Sequence, residues 1–134
     1  MKKTLVIVLA LSVIISTGFT CNKEAVPKND SSSSCFKGRL EVKGICLNYT
    51  IKVLEGNIDK SLVAESWKDD VTGKSHQNVF ALKNQCSFPS TIKEGDEFYF
   101  TINNDVVENC AVCQAFYPVP PKKLSITVTN TACN

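Results

Sequence analysis

The sequence predicts a small all-β domain, a disulfide-stapled barrel or sandwich of five or six strands, carried behind an export leader and a tether. Three observations lead there. Short segments alternate apolar and polar residues between Gly- and Pro-marked turns. No segment carries a helical stripe of convincing length. The chain of 134 residues holds seven cysteines behind an N-terminus that reads as a secretory signal.

Residues 1–20 supply that signal. Lys2-Lys3 precede the apolar run Leu5 to Ile15, and Gly18-Phe19-Thr20 follow it before Cys21. The run is shorter than the ~20 apolar residues a membrane span needs. Ending on a cysteine resembles a bacterial lipobox, which implies that Cys21 is acylated (palmitate is one such acyl group) and becomes the mature N-terminus. Gly18 stands where the strict pattern has Leu, and a plain signal peptide cleaved nearby is the alternative. Parity favours the lipid: seven cysteines are odd for an exported chain, and setting Cys21 aside leaves six for three bridges.

Residues 21–34, the candidate lipidated cysteine followed by NKEAVPKNDSSSS, contain one Val and no other large apolar group, too little to order a chain. As a flexible coil this stretch holds the domain roughly 20 Å from its anchor. Residues 35–134 then form a single domain, and a core of that size gains materially from disulfides. Charge gives little guidance to a partner. The 15 basic residues, less Lys2 and Lys3 of the leader, leave 13 against 13 acidic ones. With one Arg and no basic run interleaved with aromatics, the sequence predicts no nucleic-acid partner.

Phe36 to Lys43 alternates strictly, with Phe36, Gly38, Leu40 and Val42 on one face. Ile45, Leu47, Tyr49, Ile51 and Val53 repeat the pattern, and a two-residue turn at Lys43-Gly44 brings both apolar rows to one side of a hairpin. Leu62 to Trp67 and Gln77 to Leu82 read as a second hairpin across the polar loop Lys68 to His76. Glu97 to Ile102 follows the turn Glu94-Gly95-Asp96, and Leu124 to Val128 is the last strand. Asp105 to Ala115 has room for one or two helical turns. This order also suits an oligonucleotide/oligosaccharide-binding (OB-like) barrel, with an immunoglobulin-like sandwich as the alternative.

The six domain cysteines are Cys35, Cys46, Cys86, Cys110, Cys113 and Cys133. In the predicted hairpin Cys35 and Cys46 sit about 20 Å apart along the strands, beyond the roughly 7 Å that a disulfide spans. Cys35 and Cys133 begin and nearly end the domain, and termini often lie close together. A Cys110–Cys113 bridge would close so short a loop that chain entropy gives only about 2 kcal/mol, against roughly 4 for a long one, which favours splitting the pair.

Cys110-Ala-Val-Cys113 also has the spacing of a redox thiol pair or of half a zinc site, with His76 and Cys86 as further ligands. Glu108 precedes it where a cation would lower a thiol pKa, no βαβ pattern surrounds it, and no second close pair completes the zinc set. The sequence therefore predicts no metal and no cofactor. His76 with Ser66, Ser75, Asp69 and Asp70 has the residue types of a nucleophile, base and orienting acid, but they fall in or beside one polar loop, read as solvated. No catalytic residue is assigned. Trp67, Phe116 and Tyr117 are the candidate partner-binding aromatics. Asn48-Tyr49-Thr50 matches a glycosylation acceptor on the outward face.

The leader ending in Cys21, the serine tether, and the stretches KGICLNYTIKVLEG, NVFALKNQCSFP, IKEGDEFYF and NCAVCQAFYPVPPKKL resemble small cysteine-containing lipoproteins of the Bacteroidota. The resemblance covers nearly the whole chain. It implies a cell-envelope address as an outer-membrane lipoprotein facing the periplasm or the surface, and no particular activity. The expectation that follows is a membrane-anchored, non-enzymatic binding or assembly module with a protein or glycan partner. A redox or metal-binding thiol protein using Cys110 and Cys113 is the alternative, and an inhibitor that plugs a partner's cleft is a third reading.

Overall fold

Among the described residues the alternating segments fold as strands, except at Ile45–Leu47. A computed structural model describes residues 34–107, 110, 111, 113 and 115–133. The signal, Cys21 and the tether as far as Ser33 lie outside the described residues, as does part of the helical segment expected at Asp105 to Ala115, none of whose described residues is helical. The seven strands are β1 (Cys35–Lys43), β2 (Tyr49–Glu55), β3 (Ala64–Lys68), β4 (Ser75–Leu82), β5 (Glu97–Ile102), β6 (Lys123–Leu124) and β7 (Ile126–Thr129). The domain is all-β and closed by three disulfides, Cys35–Cys133, Cys46–Cys113 and Cys86–Cys110.

The strands pair in the order β3-β4-β2-β1-β5-β7. Only Ser125 separates β6 from β7, yet β6 pairs parallel with β4 while β7 pairs antiparallel with β5. The chain thus passes through Ser125 from a strand beside β4 to one beside β5, and β6 stands off the main path of the sheet. Inside lie Phe36, Leu40, Ile51, Phe80, Leu82, Phe98, Phe100, Leu124 and Ile126, all buried. Phe100 is central, with ring centroids 5.4, 5.8 and 6.1 Å from those of Phe36, Phe80 and Phe98. Gly38 pairs with Phe98 and lies diagonal to Phe100 across the β1–β5 ladder, and a Cβ there would sit 2.9 Å from the Phe100 ring. The glycine in an otherwise apolar row makes room for that ring.

Asn84 locks the return of the chain. Its Oδ1 accepts from Ile126 N–H at 2.9 Å, and its Nδ2 donates to Ile126 C=O at 2.7 Å. Asn84→Ala strands both backbone groups in a buried place, and each costs roughly 1–3 kcal/mol. We expect a loss of that order in urea unfolding; an unchanged midpoint would mean that water replaces the amide.

The two-residue turn expected at Lys43-Gly44 is not formed. Lys43 pairs with Tyr49, and Gly44 to Asn48 make a wider loop with a single 3-10 turn at Ile45–Leu47. Cys46 is drawn out to Cys113, and both Cys46 (φ 56°) and Leu47 (φ 60°) take left-handed backbone that costs a non-glycine residue of order 1 kcal/mol or more. Ile45 is thereby exposed rather than inward. An irregularity between Leu40 and Val42 leaves Glu41 out of the ladder. The outward Thr50 expected for a glycosylation acceptor is instead fully buried.

Candidate functional site

The hairpin β3–β4 makes the site. β4 pairs with β2 through Val79, Phe80 and Ala81, then at Asn78 takes φ 54°, a conformation that Asn tolerates better than most residues. Beyond that bend, His76 reaches over to β1, although β2 lies between the two strands in the sheet. Its Nδ1 is 3.0 Å from Glu41 Oε1.

His76 belongs to β4 and is buried, 7 % exposed, which corrects its reading as part of a solvated loop. The polar stretch Lys68 to His76 is shorter as a loop than expected because Trp67 pairs with His76 and Lys68 with Ser75. The Trp67 indole stacks on the imidazole at 5.6 Å between centroids and 28° between planes.

Glu41 is held from the other side by Arg39, whose Nε and Nη2 both donate to Oε2, at 2.8 and 2.7 Å. With Glu41 accepting at Nδ1, that nitrogen carries a proton. Among the described residues, the buried side-chain atoms without a hydrogen-bond partner are His76 Nε2 and Thr50 Oγ1. An orphaned buried nitrogen is costly unless something else satisfies it.

His76 lines two connected depressions. The larger, about 310 Å³, lies among Arg39, Glu41, Lys74, Glu94 and Gly95. The smaller, about 90 Å³, adds Asp69, Thr72 and Tyr117. The Glu94 wall is fixed by its turn: Gly95 N–H donates to Leu40 C=O at 2.8 Å, and Glu94 Oε2 accepts from Lys43 N–H at 2.9 Å.

Asp69 is not the acid that orients the histidine. Fully buried, it spends its oxygens on its own turn, accepting from Val71 N–H at 2.9 Å and the Thr72 hydroxyl at 2.6 Å. Ser66, Asp70 and Ser75 are exposed, and no triad forms from that set. Of the candidate aromatics, Trp67 and Tyr117 border the histidine, whereas Phe116 is 90 % exposed. Gly44 holds Tyr117 close, since a Cβ there would come within 2.7 Å of its ring. Burial, with the carboxylates of Asp69 and Glu94 nearby, pushes the Tyr117 phenol up. Cys110 and Cys113 sit in separate bridges, to Cys86 and Cys46.

Glu41 and Asp69 give the domain an acid limit. Burial works against ionisation of Glu41, but hydrogen bonds from His76 and Arg39, helped by the charges of Arg39 and Lys52, outweigh it and hold its carboxyl below the ordinary 4.5. For Asp69 burial is again opposed, here by the Thr72 hydroxyl and the Val71 and Thr72 amides, and its carboxyl falls below the ordinary 3.8. Both shifts are downward, so the stability they lend is complete above those ordinary values and is lost as pH falls through the folded ones. The thermal midpoint, followed from about pH 5 to about pH 2, is expected to fall steadily; a flat profile would remove both carboxylates from the account.

No family model, curated protein or solved structure matches the chain. The site is therefore argued from its own geometry.

Proposed function

We propose that the protein is a lipid-anchored, non-enzymatic binding module of the cell envelope that engages its ligand through the His76 cleft. The observation that carries this is a depression of about 310 Å³ whose Arg39, Glu41, His76 and Glu94 walls are hydrogen-bonded into place. Such pre-organised polar groups bind without having to reorder. The parallel contact of β6 with β4, which sets the end of the chain beside β4 while β7 pairs with β5, supports the OB-like reading of the fold. The thiol alternative requires Cys110 and Cys113 to be reduced together, and their separate bridges count against it.

The anchor is tested through Cys21→Ser. Wild-type protein is expected in the membrane fraction and the detergent phase, and the variant in the soluble fraction; a wild type that partitions into the aqueous phase would overturn the anchor. Binding is tested by passing envelope extract over the immobilised Cys21→Ser chain and its His76→Ala counterpart. Retention that depends on His76 is expected, and equal retention on both would move the site elsewhere.

A further inference from the structure

Among the described residues Phe116 is the largest apolar side chain left exposed, at 90 %. We propose that the Phe116-Tyr117 peptide is the reactive bond of a protease-inhibiting loop, with Phe116 entering the primary pocket of a serine endopeptidase that accepts aromatic side chains. This goes beyond the binding reading above and does not rest on it.

The first argument is that both sides of that bond are fastened to one platform. On the N-terminal side Cys113 is bridged to Cys46. On the C-terminal side the Tyr117 ring lies so close to Gly44 that a Cβ there would come within 2.7 Å of it. Gly44 and Cys46 belong to one short loop, which is itself held in place. Gly44 N–H donates to Asn48 C=O at 2.9 Å, and Ile45 C=O accepts from Asn48 N–H at 3.1 Å and from Asn48 Nδ2 at 2.8 Å. Pro120, fully buried, fixes the chain beyond. Phe116 thus stands between two clamps, an aromatic anchor presented at little ordering cost. Ile45, 59 % exposed on the platform itself, adds apolar surface beside it.

The second argument is chemical. The protease's serine Oγ adds to the Phe116 carbonyl carbon and passes its proton to the protease's own histidine. The Phe116-Tyr117 C–N bond then breaks, the Tyr117 nitrogen takes that proton, and an ester links Phe116 to the serine. In an ordinary substrate the amine half departs and water follows. Here Tyr117 stays packed on Gly44 while Phe116 stays tied through Cys113 to Cys46. The clamped amine re-attacks the ester, returns its proton through the histidine to the serine, and restores the peptide bond. Well-oriented intramolecular nucleophiles reach effective molarities of about 10⁵ M or more, so reclosure outruns hydrolysis and the protease stays occupied.

The third argument concerns the other groups that could cover Phe116. Cys35, where the tether enters, and the Gly44 loop lie at opposite ends of β1, 9 residues long, or roughly 30 Å. An anchor at Cys21 therefore leaves the loop on the side away from the bilayer. The tether brings one Val and no other large apolar group. A second copy offers no apolar hole beside its own loop, since the depression that Tyr117 borders is walled by Glu41, Asp69, Lys74 and Glu94. The depression with Val53, Ile58 and Val63 includes Gly56, which abuts Phe36 and Cys35 at the tethered end. An aromatic-accepting protease pocket takes one such ring and approaches from the open side.

The exported Cys21→Ser chain is titrated against chymotrypsin, whose primary pocket is an apolar slot, and against trypsin, whose pocket takes a cation. Residual activity is read with chromogenic peptides. The chain is expected to inhibit chymotrypsin at one-to-one stoichiometry and to leave trypsin active. Phe116→Ala is expected to weaken that inhibition at least about thirtyfold, the loss of an interface anchor, and Phe116→Lys to transfer inhibition to trypsin. Mass spectrometry of the acid-quenched complex is expected to find the chain intact or cut only between Phe116 and Tyr117. Both substitutions fall on an exposed side chain, and circular dichroism checks that the fold is unchanged. An uninhibited chymotrypsin, digestion of the chain as an ordinary substrate, inhibition that persists in Phe116→Ala, or a Phe116→Lys chain that leaves trypsin active would each overturn the proposal.

Discussion

Removing the Cys35–Cys133 bridge by a double change to serine lowers the stability of the domain by about 4–5 kcal/mol in the chain-entropy picture. Its sequence separation is 98 residues, against 67 for Cys46–Cys113 and 24 for Cys86–Cys110. A longer loop leaves the unfolded chain more freedom when the bond is gone. Total stability of a domain this size is of order 5–15 kcal/mol, so loss of this one bridge takes a large share of it. Urea midpoints of the three double variants are expected to fall in the order of loop length, with Cys35/Cys133 lowest. The reverse order would place the stabilising effect in the folded contacts around each bridge.

Phe100→Ala costs about 3–5 kcal/mol, the range for deleting a large aromatic from a packed core. Phe100 is completely buried and touches aromatic neighbours on β1, β4 and β5 at once. The hole cannot close easily, because side chains from three strands meet there. Gly38→Ala is a milder form of the same test, since the added methyl presses on the ring instead of removing it. For Phe100→Ala the readouts are the urea midpoint and the near-ultraviolet circular dichroism of the aromatic core. A loss below about 1 kcal/mol would mean that the core repacks.

The strands were legible because their burial is local. Phe98 and Phe100 alternate with Tyr99 and Thr101 between a Gly-Asp turn and an Asn pair, and β5 falls at Glu97–Ile102, the bounds the pattern predicts. The last strand is split because Ser125 is buried and its C=O accepts from Asn103 N–H at 3.0 Å. Nothing in the alternation of Leu124, Ile126 and Val128 signals that partnership. The first turn departs from its alternation for a similar reason. Parity argues for Lys43-Gly44, but the pull of Cys113 on Cys46 comes from 67 residues away.

The site was less legible than the fold. His76 and Glu41 are 35 residues apart, and Glu41 sits in an alternating strand as an ordinary outward acid. Two irregularities bring them together, the displacement of Glu41 from its ladder and the left-handed Asn78. Neither leaves a sequence signature beyond an Asn within a strand. Trp67, by contrast, stood out as a candidate because a lone aromatic beside a polar loop is conspicuous, although its partner proves to be the histidine and not an aromatic patch with Phe116.

The measurement closest to the central claim follows the fate of envelope material retained on the immobilised chain, with wild-type His76 and with His76→Ala. The account predicts material that is held only when His76 is present and is recovered chemically unchanged after prolonged contact. Material that is converted by the wild-type chain and left intact by the His76→Ala chain would make the oriented imidazole a catalytic base, and the protein an enzyme.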